Sequence, residues 1–465
     1  MDDVTRLPIG AAAVIAAYAT MLTLSDSTHR AGLRIATTLT FWLICVATTT
    51  WVTRDRRHLG RPVVTVALLA LAVQLPGVFT PPHSGDDAWR YVWDGRVQLS
   101  GTSPYRYVPL DDHLAGLRDP VLFPGLTSEQ RSGVTTQTLP ADRAELQHRA
   151  RNDSRTMINR PRVPTIYPPV AQLWFTALAA LTPWSAGTLG IQIGSALLAV
   201  ALAAALAAWL LRRGLNPRQA LWWAWCPTVI LETGKGGHVD ILGAVFIVGA
   251  VIAVSTRQGR TSSAGVAGLL LGAAASVKLT PLVLLPAFMP LRRNGFPHPW
   301  KTPLTAVVTL VATYLPHVLI VGGLVLGYLP GYLAEEGGGD RAGLLRLFVP
   351  GNLLTPAMLV VMAGVGIWAL GTTPAKEPQR AALALFGSLL LVTTPSYPWY
   401  AVPLVALAVM SRRLEWLAVA VAGYWAYAGV GVPAAGYALA AALVVTVAIC
   451  RGRRHLAPEP AAEPG

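Results

Sequence analysis

Apolar positions along this chain fall into long unbroken runs, not into the alternation of a half-buried strand. The runs cover 8–24, 31–52, 62–80, 187–211, 219–232, 239–255, 263–277, 279–291, 302–323, 347–369, 380–395, 398–411, 414–431 and 433–450. Most have the roughly 17–25 residues an α-helix needs to cross a ~30 Å hydrocarbon core, although several late ones are short and 279–291 is the weakest. Inside lipid only a helix or a closed barrel satisfies its own backbone, and barrel strands would read as short alternating segments. The pattern predicts an all-α, polytopic integral membrane protein with about 13–14 transmembrane helices. The first run lacks a strong basic flank and a convincing cleavage site, so it reads as a retained span and not as a signal peptide.

Composition agrees. Of 465 residues, 53% are hydrophobic and 13% charged, against about a quarter charged in soluble domains. The net charge of +14 would point a soluble protein towards nucleic acid, but the positions of the charges exclude that partner. Basic clusters sit between apolar runs: Arg54, Arg56, Arg57 and Arg61; Arg212, Arg213 and Arg218; Arg257 and Arg260; Arg292 and Arg293; Arg412 and Arg413; Arg451, Arg453 and Arg454. With the N-terminus inside, every cluster falls on the cytoplasmic side, as topology determinants do. Glu335, Glu336 and Asp340 then fall outside, as does loop 81–163. That count holds only if the apolar stretch 165–182 lies along the outer surface, because a crossing there would export Arg212, Arg213 and Arg218. Residues 1–450 thus form a single domain, 81–186 an extracytoplasmic loop bearing juxtamembrane helices, and 451–465 a disordered cytoplasmic tail. Cys45, Cys226 and Cys450 have no close spacing and give neither a disulfide framework nor a zinc pattern.

Loop 81–163 is polar and nearly neutral, and a loop of that length is uncommon unless functional or disordered. It opens Ser84-Gly85-Asp86-Asp87-Ala88-Trp89-Arg90-Tyr91-Val92-Trp93-Asp94-Gly95-Arg96. On a helix Asp87, Arg90, Tyr91 and Asp94 share one face, while Trp89 and Trp93 lie on a neighbouring one suited to the headgroup interface. By spacing alone this reads first as an amphipathic surface helix with ordinary capping acids. Lys235 and Lys278 are two of only four lysines, and both sit at outer helix ends. An ionisable group at membrane depth points to function, yet Lys278 also fits an interfacial lysine that snorkels to water. His238 fits a satisfied loop histidine, and Asp240 fits the N-cap of the following helix.

The run Asp86 to Arg96, followed by Gly101-Thr-Ser-Pro104-Tyr105-Arg-Tyr, resembles the first-loop signature of bacterial GT-C superfamily glycosyltransferases. The likeness is closest to the polyprenyl-phosphate-mannose-dependent mannosyltransferases. Val163-Pro-Thr-Ile-Tyr167-Pro168-Pro169-Val-Ala-Gln172 resembles that family's Tyr-Pro-Pro surface helix. Glu232-Thr-Gly-Lys235-Gly-Gly-His238-Val-Asp240, Lys278-Leu-Thr-Pro281 and Pro395-Ser-Tyr397-Pro398-Trp399-Tyr400 follow in the family's order. The likeness covers roughly residues 76–405, and all five motifs fall on the outer side of the charge-derived topology.

The resemblance implies an inverting transfer of a hexose, mannose first, from a polyprenyl-phosphate sugar donor to a hydroxyl of a glycolipid or glycan acceptor outside the cell membrane. Such a reaction needs a carboxylate as general base beside the acceptor hydroxyl, and cations or N–H donors for the leaving phosphate. Asp87 occupies the family's Asp-x-x-x-Tyr position with Tyr91 and is the implied base, with Asp86 in reserve. Arg90, Lys235, His238 and Lys278 are phosphate candidates; Tyr91, Asp94, Arg96, Tyr105, Tyr167, Asp240, Tyr397 and Trp399 complete the implied substrate-binding set. The phosphate is itself a competent leaving group, so neither a metal nor a cofactor is required, and the sequence has no clear metal-ligand set. A lipid or solute transporter would also be polytopic, but its ionisable residues would gather near the midplane of broken, repeated helices. A non-catalytic scaffold would have no need of Asp87.

Overall fold

The computed structural model describes residues 3–26, 31–55, 59–82, 87–128, 131, 155–256, 261–289, 300–337, 342–374, 377–429 and 432–456. Among them the regular elements are all helical. The first three are α1 (Asp3–Asp26), α2 (Ala31–Thr53) and α3 (Pro62–Val78), followed by α4 (Asp87–Leu99) in the polar loop. Next come α5 (Pro169–Leu181), α6 (Leu189–Arg212), α7 (Asp240–Thr256), α8 (Thr261–Ala275), α9 (Lys301–Val321) and α10 (Leu329–Gly337). The chain closes with α11 (Leu354–Thr372), α12 (Pro378–Thr393), α13 (Val402–Ser411), α14 (Leu417–Ala428) and α15 (Pro433–Leu456). Pro62, Pro169, Pro378 and Pro433 open α3, α5, α12 and α15, the one helical position where a missing N–H costs nothing.

Among the described residues six helical stretches are long and apolar enough to cross a membrane: Arg6–Leu24, Ala31–Thr53, Leu189–Arg212, Lys301–Ala334, Gly351–Thr372 and Ala434–Arg451. Pro62–Val78, Asp240–Ser255, Ser263–Ala275, Pro378–Thr393 and Pro398–Ser411 are apolar but shorter. The protein is therefore an all-α, multi-pass membrane protein.

Two expected spans are not continuous α-helices. Residues 219–232 break into turns at 217–220, 221–224 and 227–230, then a π-helical turn at Leu231–Lys235. Pro227 has no N–H to donate and ends the turn before it. Residues 279–291 form a 3-10 helix over Thr280–Phe288 with Pro281 and Pro286 inside it. α15 continues through Leu456; residues 132–154 and 457–465, which include most of the expected tail, lie outside the described residues.

The main core joins α1–α3, α6, the broken segment 220–231, α7, α12, α13 and α14, with Trp223 and Trp225 fully buried in it. A second core lies under the polar loop, where Tyr91, Trp93, Phe123, Phe175, Val239 and Val277 meet. α8 and α9 pack through Gly268 and Gly272, where an added Cβ would collide with the carbonyls of Thr302 and Ala306; small residues four apart let two helix backbones approach in lipid, where no hydrophobic gain drives them together. The outward faces of α9 and α11 leave Val308, Leu319, Val360 and Ile367 exposed, as expected of surfaces solvated by acyl chains.

Candidate functional site

The polar face of α4 divides along its length. Its first turn carries Asp87, Arg90 and Tyr91, which line a cavity of ≈ 450 Å³. Asp87 accepts a hydrogen bond from Asn159 Nδ2 at 2.5 Å. Tyr91 stacks on Phe175 (4.3 Å between centroids) and meets the edge of Tyr167 (4.9 Å). Burial, then the neighbouring Asp87 and Asp240 carboxylates, push the Tyr91 phenol well above its ordinary pKa, so it remains a neutral hydrogen-bonding group. Tyr167 is raised in the same way, by burial first and Asp87 next.

The second turn holds the loop together. Arg90 Nε pairs with Asp94 Oδ1 at 2.8 Å, both side chains being buried. Asp94 Oδ2 accepts from Thr165 Oγ1 (2.5 Å) and Gln172 Nε2 (3.1 Å), while Arg90 Nη1 donates to the carbonyls of Val163 (3.2 Å) and Arg160 (3.4 Å). This clamp draws segment 155–168 over α4. Tyr105 adds to it by donating from its hydroxyl to the Tyr167 carbonyl at 2.8 Å. Arg96 is ion-paired with Asp119, donates to the Trp184 carbonyl and lies over the Trp184 ring. Asp94, Arg96 and Tyr105 are not on the cavity wall. They support the site without lining it, and Asp86 lies outside the described residues.

Further lining residues come from the helix ends. Asp240 begins α7, and Lys278 follows α8. Lys278 Nζ pairs with Asp240 Oδ1 at 2.8 Å and sits 3.4 Å from the centroid of the Tyr400 ring. The other carboxylate oxygen of Asp240 is buried with no hydrogen-bond partner. Tyr397 and Trp399 stack 4.9 Å apart in the same lining. Sequence reasoning missed Asn159, Arg160, Tyr328, Tyr332 and Tyr400, which also line the cavity. Arg160 lies over the Tyr328 and Tyr332 rings and donates to the Tyr328 hydroxyl at 3.3 Å. Nothing in the pattern around Arg160 or Asn159 marks them out from their neighbours in the loop.

Neither His238 nor Lys235 lines the cavity. His238 stacks on Trp399 at 4.0 Å, and its Nδ1 lies 3.1 Å from Glu232 Oε2; the other Glu232 oxygen accepts from Tyr424 at 2.6 Å. Burial alone would lower the His238 pKa, but the Glu232 carboxylate, joined by Asp87 and Asp240, outweighs it and the net shift is upward. Lys235 closes the π-helical turn and donates to Thr80 Oγ1 (3.3 Å) and the Pro81 carbonyl (3.5 Å). Gln192 pins that turn by donating to the carbonyls of Thr80 and Lys235. Single π turns are frequent at functional sites because they re-aim side chains off the helical register.

The cavity lining thus joins a carboxylate on α4, a lysine–aspartate pair, a loop arginine and several aromatic rings. Its lining also includes the apolar Val277, Leu279, Val325, Leu326, Leu329 and Leu333, of which Leu279, Leu326 and Leu333 are exposed on the surface of the protein. No curated protein and no solved structure matches the chain. The model of Glycosyltransferase family 87 matches residues 165–395, a range that takes in Tyr167, Lys235, His238, Asp240 and Lys278 and leaves α4 outside it. The motif resemblance and the family match agree, and the chain is a membrane glycosyltransferase of the GT-C type.

Proposed function

We propose that this glycosyltransferase moves a hexose, mannose first among the candidates, from a polyprenyl phosphate to a hydroxyl of a glycolipid or glycan on the outer face of the cell membrane. The observation that carries the reading is that one cavity is lined both by Asp87, Lys278 and Arg160 and by apolar residues that include the exposed Leu326 and Leu333. A prenyl chain fits the apolar residues, its phosphate the cations, and the sugar the aromatic rings.

Asp87 is the general base. It takes the proton of the acceptor hydroxyl as that oxygen bonds to the anomeric carbon. The bond from that carbon to the phosphate oxygen breaks with its electron pair, leaving polyprenyl phosphate and inverting the anomeric centre. Lys278 and Arg160 offset the charge that grows on the leaving phosphate. Asn159 orients the Asp87 carboxylate. Asp240 holds Lys278, and Tyr91, Tyr167, Tyr397 and Trp399 border the sugar.

The test is a panel of radiolabelled polyprenyl-phosphate sugars and, in parallel, nucleotide sugars, given to membranes containing the protein, with products separated by class. Transfer from a polyprenyl-phosphate hexose is expected. Asp87→Asn should lower turnover by about 10²–10⁴-fold, the usual contribution of a general base, with little change in donor affinity. Transfer only from nucleotide sugars overturns the donor assignment. Full activity in Asp87→Asn, with loss only in Asp86→Asn, moves the base by one residue.

A further inference from the structure

A second cavity, of ≈ 960 Å³, lies at the other end of the bundle. The segment 398–411 connects the two: Trp399 and Tyr400 line the first cavity, and Val409 with Arg412 line the second. α3 runs the same way, from Pro62 on the second cavity to Val78, just before the Thr80 and Pro81 that hold Lys235. The glycosyl-transfer reading makes no use of this space.

Its polar wall is basic. Arg54, Arg218 and Arg412 line it, and among the described lining residues there is no aspartate or glutamate. Asp55 and Glu415, next in sequence to Arg54 and Leu414 of the wall, pair with Arg6 (4.0 Å) and Arg451 (2.8 Å). Arginines that serve only to fix topology need lie no deeper than the solvated surface. Arg218 is instead 1% exposed, and it is set in place: Asn216 Oδ1 accepts from its backbone N–H at 3.0 Å, and its own Nη1 donates to the Asp55 carbonyl at 3.2 Å. Asn216 Nδ2 ties the same turn to the carbonyls of Thr53 (3.2 Å) and Asp55 (3.0 Å). Arg412 ends α13 with a φ of 55°. That left-handed position is one glycine fills at no cost, and a long side chain there implies a use for the guanidinium. The rest of the wall is apolar, with Leu59, Leu211, Leu215, Trp222 and Leu414.

We propose that this cavity binds a phosphate ester, held by the exposed Arg54 and Arg412 against a wall that the buried Arg218 braces, whose apolar portion lies against the leucines and Trp222. Arginine forks match phosphate oxygens in pairs, and basic pockets between membrane helices hold anionic headgroups. The phosphate comes either from an anionic phospholipid of the surrounding bilayer or from a soluble phosphate ester.

The purified full chain in phosphatidylcholine nanodiscs would be titrated, by native mass spectrometry and thermal protection, with phosphatidylglycerol in one arm and glycerol 3-phosphate in the other. Binding in either arm, weakened about ten-fold or more by Arg412→Gly or Arg54→Gln, supports the site, since a charged hydrogen bond is lost; the arm that responds names the source. Arg412→Gly removes the guanidinium while relaxing the backbone, so folding is retained. Arg212→Gln is the control of equal charge change, because Arg212 is exposed and off the cavity wall. Lys278→Met should leave this binding unchanged, which separates it from donor binding in the first cavity. No binding in either arm, or equal loss with Arg212→Gln, overturns the proposal.

Discussion

The Lys278–Asp240 pair offers the sharpest test of how the cavity is built. Lys278→Met keeps most of the side-chain length and removes the charge. It breaks a 2.8 Å ion pair in which Asp240 is 4% exposed and Lys278 27%, and leaves both Asp240 oxygens without a partner, since Oδ2 has none to begin with. Breaking a fully buried pair costs about 3–5 kcal/mol. With Lys278 partly solvated the expected loss is about 2–3 kcal/mol, including ~1 kcal/mol from the contact with Tyr400. Asp240→Asn in the same chain removes the stranded carboxylate, so the double variant should recover most of that stability. Activity should behave otherwise: if Lys278 neutralises the donor phosphate, both the single and the double variant should raise the donor KM by about ten-fold or more. Denaturation in detergent reads the first quantity and initial-rate kinetics the second. A double variant that recovers transfer along with stability would show that Lys278 serves only to balance Asp240, and the phosphate role would fall.

Three further outcomes follow from the geometry. Asn159→Ala releases the Asp87 carboxylate from its 2.5 Å hydrogen bond, and should lower kcat by roughly ten-fold at a stability cost of only about 1 kcal/mol; unchanged kcat means Asn159 does not orient the base. His238 has its pKa raised in the fold by Glu232. Its protonation therefore contributes stability that is fully present below the ordinary value of about 6.5 and is lost as pH rises through the raised folded value. Unfolding followed against pH should show that alkaline loss in the wild type and not in His238→Gln, and parallel curves refute it. Gly95→Ala puts a Cβ against the Phe175 carbonyl and the Ala179 side chain, so α4 and α5 must separate, at a cost of about 1–3 kcal/mol; a variant as stable as wild type contradicts the close packing of the two helices.

The helical membrane architecture was legible because apolar run length is a one-dimensional signal, and α1, α2, α6 and α9 start within a few residues of the expected spans. The discontinuous crossings were not. Pro227 and the Gly234-Lys235-Gly236-Gly237 run permit a π turn, but what stabilises it is Gln74 accepting from the Gly234 N–H and Gln192 donating to the Lys235 carbonyl. Those glutamines lie on α3 and α6, far off in sequence, and no local window reveals them. The site shows the same division. The shared face of Asp87, Arg90, Tyr91 and Asp94 was readable from helical spacing, and the 2.8 Å Arg90–Asp94 pair lies on it. Asn159 and Arg160 were not readable, because only the folding of segment 155–168 over α4 brings them to the cavity.

That division explains why one short motif mixes two kinds of residue. Seven positions separate Asp87 from Asp94, about 10 Å along the helix axis, so one polar face cannot present both ends to one cavity. Asp87 reaches the cavity, while Asp94 turns its two oxygens to Arg90 on one side and to Thr165 and Gln172 on the other. Thr165 is two residues from Tyr167, whose carbonyl Tyr105 holds. The clamp at Asp94 therefore sets where the Tyr167 ring meets Tyr91, and so the shape of the wall beside Asp87. Arg90 belongs to both parts, since it lines the cavity while its Nε and Nη1 are spent on Asp94 and the Val163 carbonyl. Asp240 balances Lys278 at the same 2.8 Å, so pairing with an aspartate does not rank these cations; what sets Lys278 and Arg160 apart is that they lie over the Tyr400, Tyr328 and Tyr332 rings of the cavity lining.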